Sequence, residues 1–228
     1  WGYLEETAIN PANGIKPFKE EERDRYVTQE ELPNLAKAID REENIYVRAC
    51  LWLYLLAGVR KSELLQAKWN DVSIDHQELR LTNTKSGKPR YVPLSGQAII
   101  ILQSLPRFED NPYVLPGKKK GCHLVNIDKP WRRIREVAGI KDVRLHDLRR
   151  TVGSWLGQSG SSLHLIGKVL GHSDLKTTAI YSRFAQDHVK EALENHGKRL
   201  MGIAGKEPVA EIVNMPAKRR GKKKKART

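Results

Sequence analysis

The chain has 228 residues, enough for one large domain or two small ones. Its residues are 30% charged, and no apolar run approaches the ~20 residues of a membrane span, which points away from any membrane partner. A net charge of +14, from 41 Lys and Arg against 27 Asp and Glu, points to a polyanion partner, nucleic acid first among them.

The last dozen residues, AKRRGKKKKART, hold eight of the basic groups and no acid, so removing them leaves +6 on the remainder. The folded part is therefore expected to be basic in its own right. The N-terminus shows no basic-then-apolar signal pattern. Cys50 and Cys122 belong to no metal spacing and fit a reducing, cytoplasmic compartment.

Residues 1–27 carry the turn signals Asn-Pro, Asn-Gly and Lys-Pro, followed by the charge run KEEERDR. They read as a linker arriving from an upstream domain. Thr28 and Glu31 have capping-box spacing, and Leu32, Leu35, Ala36 and Ile39 then supply a helical stripe. Residues 45–57, IYVRACLWLYLLA, are apolar nearly all round, which predicts a core helix ended by Gly58. A short helix is expected over 59–65. Period-two runs at 78–82 and 90–94 flank a loop with Gly and Pro, which predicts a β-hairpin.

Ser95 is expected to cap a helix through Leu105, with loop over 106–125. Asp128 and Pro130 mark the next helix start, ending at Gly139. Residues from His146 onward show an amphipathic period, and GSSLHLIGKVLGH reads as a turn into a second helix, a helix-turn-helix-like arrangement. Ser173 or Asp174 is expected to cap a third helix carrying Tyr181, and a final helix spans about 185–201. The fold class is α+β, mainly α-helical, with a small antiparallel hairpin. The domain runs over 28–205, and 206–228 form a basic tail expected to be disordered.

Six polar residues stand where the local pattern does not demand them: Arg60, Lys85, His146, Arg149, His172 and Tyr181. Each alone has an ordinary reading. Arg60 caps a helix end, Lys85 is a solvated loop lysine, His146 bonds to backbone, and Tyr181 is a core-rim aromatic. A metal held by the two histidines and Asp147 lacks any His-x-x-x-His or Cys pair.

Together the six are what metal-free phosphoryl transfer from DNA requires. In-line attack on a phosphodiester builds a second negative charge, which a pair of guanidinium forks can meet. A tyrosine hydroxyl, with a pKa of about 10, is ionised in only about one molecule in a thousand at pH 7, so it needs a base or a cationic pocket. The sugar-oxygen leaving group needs an acid, and a hairpin lysine can reach it.

These segments carry a resemblance. GVRKSELL, the hairpin lysine, HDLRRTVGSWL and LGHSDLKTTAIYSR, in that order, resemble the tyrosine recombinases, the phage integrase family, over roughly residues 28–200. The His-x-x-R motif, a histidine 23 residues after Arg149 and a tyrosine nine residues later carry the specificity. NPANGIKP also resembles the family's segment between its core-binding and catalytic domains. Ala57 departs mildly, standing where many members carry threonine.

The resemblance implies the tyrosine-recombinase catalytic-domain fold. It implies that Arg60 and Arg149 grip the scissile phosphate and that Lys85 protonates the departing 5′-oxygen. His146 would serve proton transfer near the nucleophile, and His172 would bond a non-bridging oxygen. Tyr181 would attack phosphorus to form a 3′-phosphotyrosyl bond. Glu63 would hold the Arg60 region and Asp147 the HDLR turn. No metal, cofactor or ATP is expected. The implied partners are double-stranded DNA attachment sites, copies of the chain as a tetramer on DNA (a monomer in isolation), and accessory DNA-bending or directionality proteins. A bacterial or phage origin, as a prophage- or island-type integrase, is expected. The rivals are a Xer-type chromosome-dimer resolvase, a type IB topoisomerase-like enzyme, and a DNA-binding protein without cleavage.

Overall fold

The computed structural model describes residues 23–82, 89–172 and 174–205. The basic tail and most of the expected linker lie outside these residues.

The first helix, α1 (Leu32–Asp40), begins a turn after the expected box. Both box hydrogen bonds form: the Thr28 amide donates to the Glu31 carboxylate at 3.0 Å, and the Glu31 amide to the Thr28 hydroxyl at 3.3 Å. They close a turn ahead of Pro33, which is well tolerated in the first helical turn. Leu35, Ala38 and Ile39 face inward; burying each of the two larger side chains is worth roughly 1.5–3 kcal/mol.

Helix α2 (Ile45–Ala57) is the central element, as its all-round apolar surface predicts. Asn44 caps it, its side chain accepting from the amides of Tyr46 and Val47. Gly58 ends it at φ +58°, a left-handed conformation that would strain any side chain. Helix α3 (Lys61–Leu65) follows directly.

The three-stranded antiparallel sheet runs β1 (Val72–Ser73), β2 (Glu78–Leu81) and β3 (Arg90–Pro93) in that order. The expected hairpin is β2–β3, with Leu79 opposite Val92 and Leu81 opposite Arg90. The two-residue β1 is an addition; it is too short to show a periodicity of its own. The hairpin tip with Lys85 lies outside the described residues. Pro93 is tolerated because β3 is an edge strand.

Helix α4 (Gly96–Ser104) is capped by Ser95, and α5 (Asp128–Val137) starts at the expected Asp128. Next comes α6 (Leu145–Gln158), against which α7 (Leu163–Leu170) packs across a short turn. The four-residue α8 (Leu175–Thr178) then leads to a 3-10 stretch over Ala179–Phe184, and α9 (Ala185–Ile203) closes the described chain.

Tyr181 therefore sits in a 3-10 stretch, not on the α-helix expected for it. Within this stretch the β-branched Ile180 disfavours a regular α-helix. With three residues per turn, Thr178, Tyr181 and Phe184 stack on one face. That face meets three glycines: Gly167 opposite Thr178, Gly153 opposite Tyr181, and Gly157 opposite Phe184.

The main core joins α1, α2, α4, α5, the sheet and Leu148 of α6. A second, smaller cluster holds Ile166, Leu170 and Tyr181, with Val152, Leu156, Leu163 and Phe184 against it. Residues 23–27, on the linker side of the expected boundary, pack onto α6. The Val27 amide donates to the Thr151 hydroxyl at 2.9 Å, and its carbonyl accepts from Trp155 Nε1 at 3.0 Å. Among the described residues no helix is long and apolar enough to cross a membrane.

Candidate active site

The site is organised around the end of α7. A helix leaves its last carbonyls without intrahelical partners and carries partial negative charge there. Each of the last four positions of this end is met by a guanidinium. Arg90 Nη1 donates to the carbonyls of Lys168 (3.3 Å) and Val169 (3.1 Å). Arg149 Nη2 donates to that of Leu170, and Arg60 Nη2 to that of Gly171 at 3.1 Å. Gly171 makes this possible by turning left-handed at φ +65°; a Cβ there would lie 2.3 Å from Arg90 Cζ.

Local structure explains how each arginine arrives. Arg60 precedes α3, and Glu63 of the first turn accepts from the Arg60 amide at 2.9 Å and from its Nη1 at 2.8 Å. Arg149 lies on the inward face of α6, 3% exposed, with Nη1 on the carbonyl of Gly58 at the end of α2. Burial, and then the nearby Arg60, push the Arg149 pKa down to about 10, so it stays charged at neutral pH.

His172 follows the α7 end directly. Its Nδ1 shares a 2.9 Å hydrogen bond with the hydroxyl of the fully buried Thr178. Desolvation, then Arg149, Arg60 and Arg90, drive its pKa down to about 4. The ring is therefore neutral at pH 7 and can donate one hydrogen bond without adding charge.

Tyr181 is 3% exposed. Its ring packs against α6 where Gly153 has no side chain; a Cβ there would be 2.3 Å from Cζ and 2.7 Å from the hydroxyl oxygen. Burial raises the hydroxyl pKa, and Arg149 and Arg150 pull the other way. Arg149, Gly153 and Gly157 succeed one another every four residues on α6, so one helix face carries both an arginine of the cluster and the seat of the tyrosine.

Beside the tyrosine opens a cavity of about 970 Å³, lined by His146, Arg144, Arg150, Lys176, Arg183 and Tyr181, among others. His146 projects to the surface from the first turn of α6, its pKa lowered by desolvation and then by Arg150 and Arg149. Asp147, 1% exposed, anchors this turn: it accepts from the Arg144 amide at 2.8 Å and pairs with Arg23 (2.8 Å) and Arg150 (3.3 Å).

The structure thus gathers Arg60, Arg149 and His172 at the α7 end, and places His146 and Tyr181 at the adjoining cavity. It does not join the two sets through the tyrosine: among the described residues its hydroxyl makes no hydrogen bond to any of them. Lys85 lies outside the described residues. Arg90 and Thr178 were missed by sequence reasoning. Arg90 had a signal, since it shares its strand face with the buried Val92. Thr178 had none that distinguishes it from Thr177.

Among the described residues no group of three His, Cys, Asp or Glu side chains is placed to hold a metal ion. The arrangement suits binding an anion with fixed forks and buried donors.

The chain matches the phage integrase family over residues 25–188 and belongs to that family. It is 30% identical over 174 residues to the tyrosine recombinase XerA of Pyrococcus furiosus, covering 74% of this chain and 60% of that protein. A tyrosine recombinase of Thermosipho africanus is 30% identical over 201 residues, 85% of this chain and 71% of the relative. Among solved structures, the XerH recombinase bound to palindromic difH substrate in a post-cleavage complex superposes with a TM-score of 0.60 at 27% identity, covering 74% of this chain and 52% of that one. The chain thus spans roughly half to 70% of the length of these proteins. The mainly helical fold with a small antiparallel sheet is the tyrosine-recombinase catalytic-domain fold.

Proposed function

We propose that the chain carries the catalytic domain of a site-specific DNA recombinase that cleaves and rejoins strands through a 3′-phosphotyrosyl intermediate. The observation that carries this reading is the meeting of Arg60, Arg149 and neutral His172 at one helix end, next to a buried tyrosine facing a basic cavity.

The guanidinia of Arg60 and Arg149 hold the two non-bridging oxygens of the scissile phosphate and meet the charge that builds on them. His172 adds one neutral donor. Tyr181 attacks phosphorus and its proton leaves by way of His146 or water. Lys85 protonates the departing 5′-oxygen. The 5′-hydroxyl of a partner strand then attacks the phosphotyrosyl bond and releases the tyrosine. One phosphoester is exchanged for another at each step, so no ATP is consumed.

The stretch ahead of Arg23 would link this domain to an upstream DNA-binding one, and the basic tail would add salt-sensitive phosphate affinity. Copies would assemble as a tetramer on DNA. Val189, Leu193, Leu200 and Ile203 are exposed along one stripe of α9, which supports docking onto a neighbouring copy. A chain ending at residue 184 should bind DNA as monomers only, as read by sedimentation; retained multimers would refute the assignment.

The decisive test is incubation with a nicked attachment-site DNA. The parent should give an SDS-stable protein–DNA adduct. Tyr181→Phe should lower adduct yield at least about a thousandfold while binding DNA within about threefold of the parent. An adduct persisting in that variant would reassign the nucleophile.

A further inference from the structure

We propose that Arg90 is a positioning residue of the site: its guanidinium ties the root of the β2–β3 hairpin to Glu63 and to the α7 end, and so fixes the Arg60 and His172 geometry. The proposal rests on the recombinase reading for its catalytic consequence and on the structure alone for its geometric one.

Arg90 is the first residue of β3, at the foot of the loop that carries Lys85. Its side chain turns inward and crosses the face of Gly171. Nη1 takes two α7 carbonyls, and Nη2 lies 3.5 Å from Glu63 Oε2. Glu63 is the group that holds Arg60 by Nη1 and by its backbone amide. The carbonyls on Arg90 are those immediately before the one on Arg149, the one on Arg60, and then His172 itself. One planar fork therefore touches the supports of both Arg60 and His172.

A lysine could not do this. Its three donors sit on one compact ammonium, which lacks the planar fork that spans the α7 carbonyls and Glu63 together. Among the described residues the buried Arg90 Nε has no hydrogen-bond partner.

Charge supports the same view. Arg60 and Arg149 offset by Glu63 leave a net single positive charge; Arg90 makes it two. Two charges match a phosphodiester whose negative charge grows from one to two during attack.

The test is Arg90→Lys in the full chain, which keeps the charge and gives up the fork. With nicked DNA, single-turnover adduct formation should slow at least about tenfold while the DNA dissociation constant moves less than about threefold. Circular dichroism should show the parent's helix content. Slowing of less than about threefold in a folded variant, or binding lost in the same proportion as cleavage, overturns the catalytic consequence. The His172 Cε1–H proton resonance of the free protein, assigned by its loss in His172→Gln, gives a readout independent of catalysis. It should shift in Arg90→Lys and titrate at a different pH. An unmoved resonance overturns the positioning role whether or not the parent reacts with DNA. A parent that forms no adduct while the resonance does shift refutes the recombinase reading and leaves the positioning role standing.

Discussion

Asp147→Ala should destabilise the domain by about 3 kcal/mol, a figure that follows from what the carboxylate does. It caps α6 by accepting from the Arg144 amide at 2.8 Å, and loss of such a cap costs about 1 kcal/mol. It also takes two donors of Arg23, at 2.8 and 3.1 Å, and one of Arg150 at 3.3 Å. Charge-assisted bonds of this kind contribute about 1.5–3 kcal/mol to a buried acceptor. Both arginines remain over a quarter exposed, so they can recover water when the carboxylate goes, and the loss stays below that of stranding a buried charge. For a domain of this size the change corresponds to roughly 6–12 °C in the thermal midpoint. The assay is thermal unfolding followed by circular dichroism at pH 7.5. Asp147→Asn, which keeps the acceptor for the cap and gives up the charge, should fall between the two. A drop of less than about 2 °C in Asp147→Ala would refute the reasoning, since it would mean that neither the cap nor the Arg23 pair carries weight.

Gly58→Ala should cost about 1–3 kcal/mol in urea unfolding: it forces a side chain into φ +58°, and its Cβ would meet Leu170 Cδ2 at 3.0 Å and Val152 Cγ1 at 3.1 Å. An unchanged urea midpoint would contradict this. Stability should also fall on acidification from about pH 6.5 toward 4. The His172 pKa is depressed to about 4 in the folded protein, so in that window the unfolded chain binds a proton that the native one does not. The thermal midpoint at pH 5 should lie below that at pH 7.5, and the difference should shrink in His172→Gln; an equal difference in both proteins would count against His172 as the source.

Much of the fold was legible because its signals are local. Asn44 and Gly58 bracket α2, Ser95 caps α4, and the period-two runs give β2 and β3, each through its own backbone chemistry. Arg60, Arg149 and His172 stand against that local logic, and the structure brings these three to one helix end, while Lys85 lies outside the described residues. What could not be read was how they meet. No local pattern tells that the carbonyls of residues 168–171 would gather Arg60, Arg90 and Arg149 from three separate elements. The tyrosine's 3-10 stretch was missed for the same reason: its three-residue period is set by glycines on α6 and α7, which are remote in sequence.

The small size of the cluster around Tyr181 has a dynamic consequence. Ile166, Leu170 and Tyr181 are not joined to the main core, so lifting the segment that follows α7 need not breach α2 or the sheet. Such a subglobal opening would uncover the apolar faces that Tyr181 and Phe184 share with α6 and α7. Tyr181 is thus mounted on a piece set apart from the main core, while Arg60 and Arg149 are held from α2, α3 and α6.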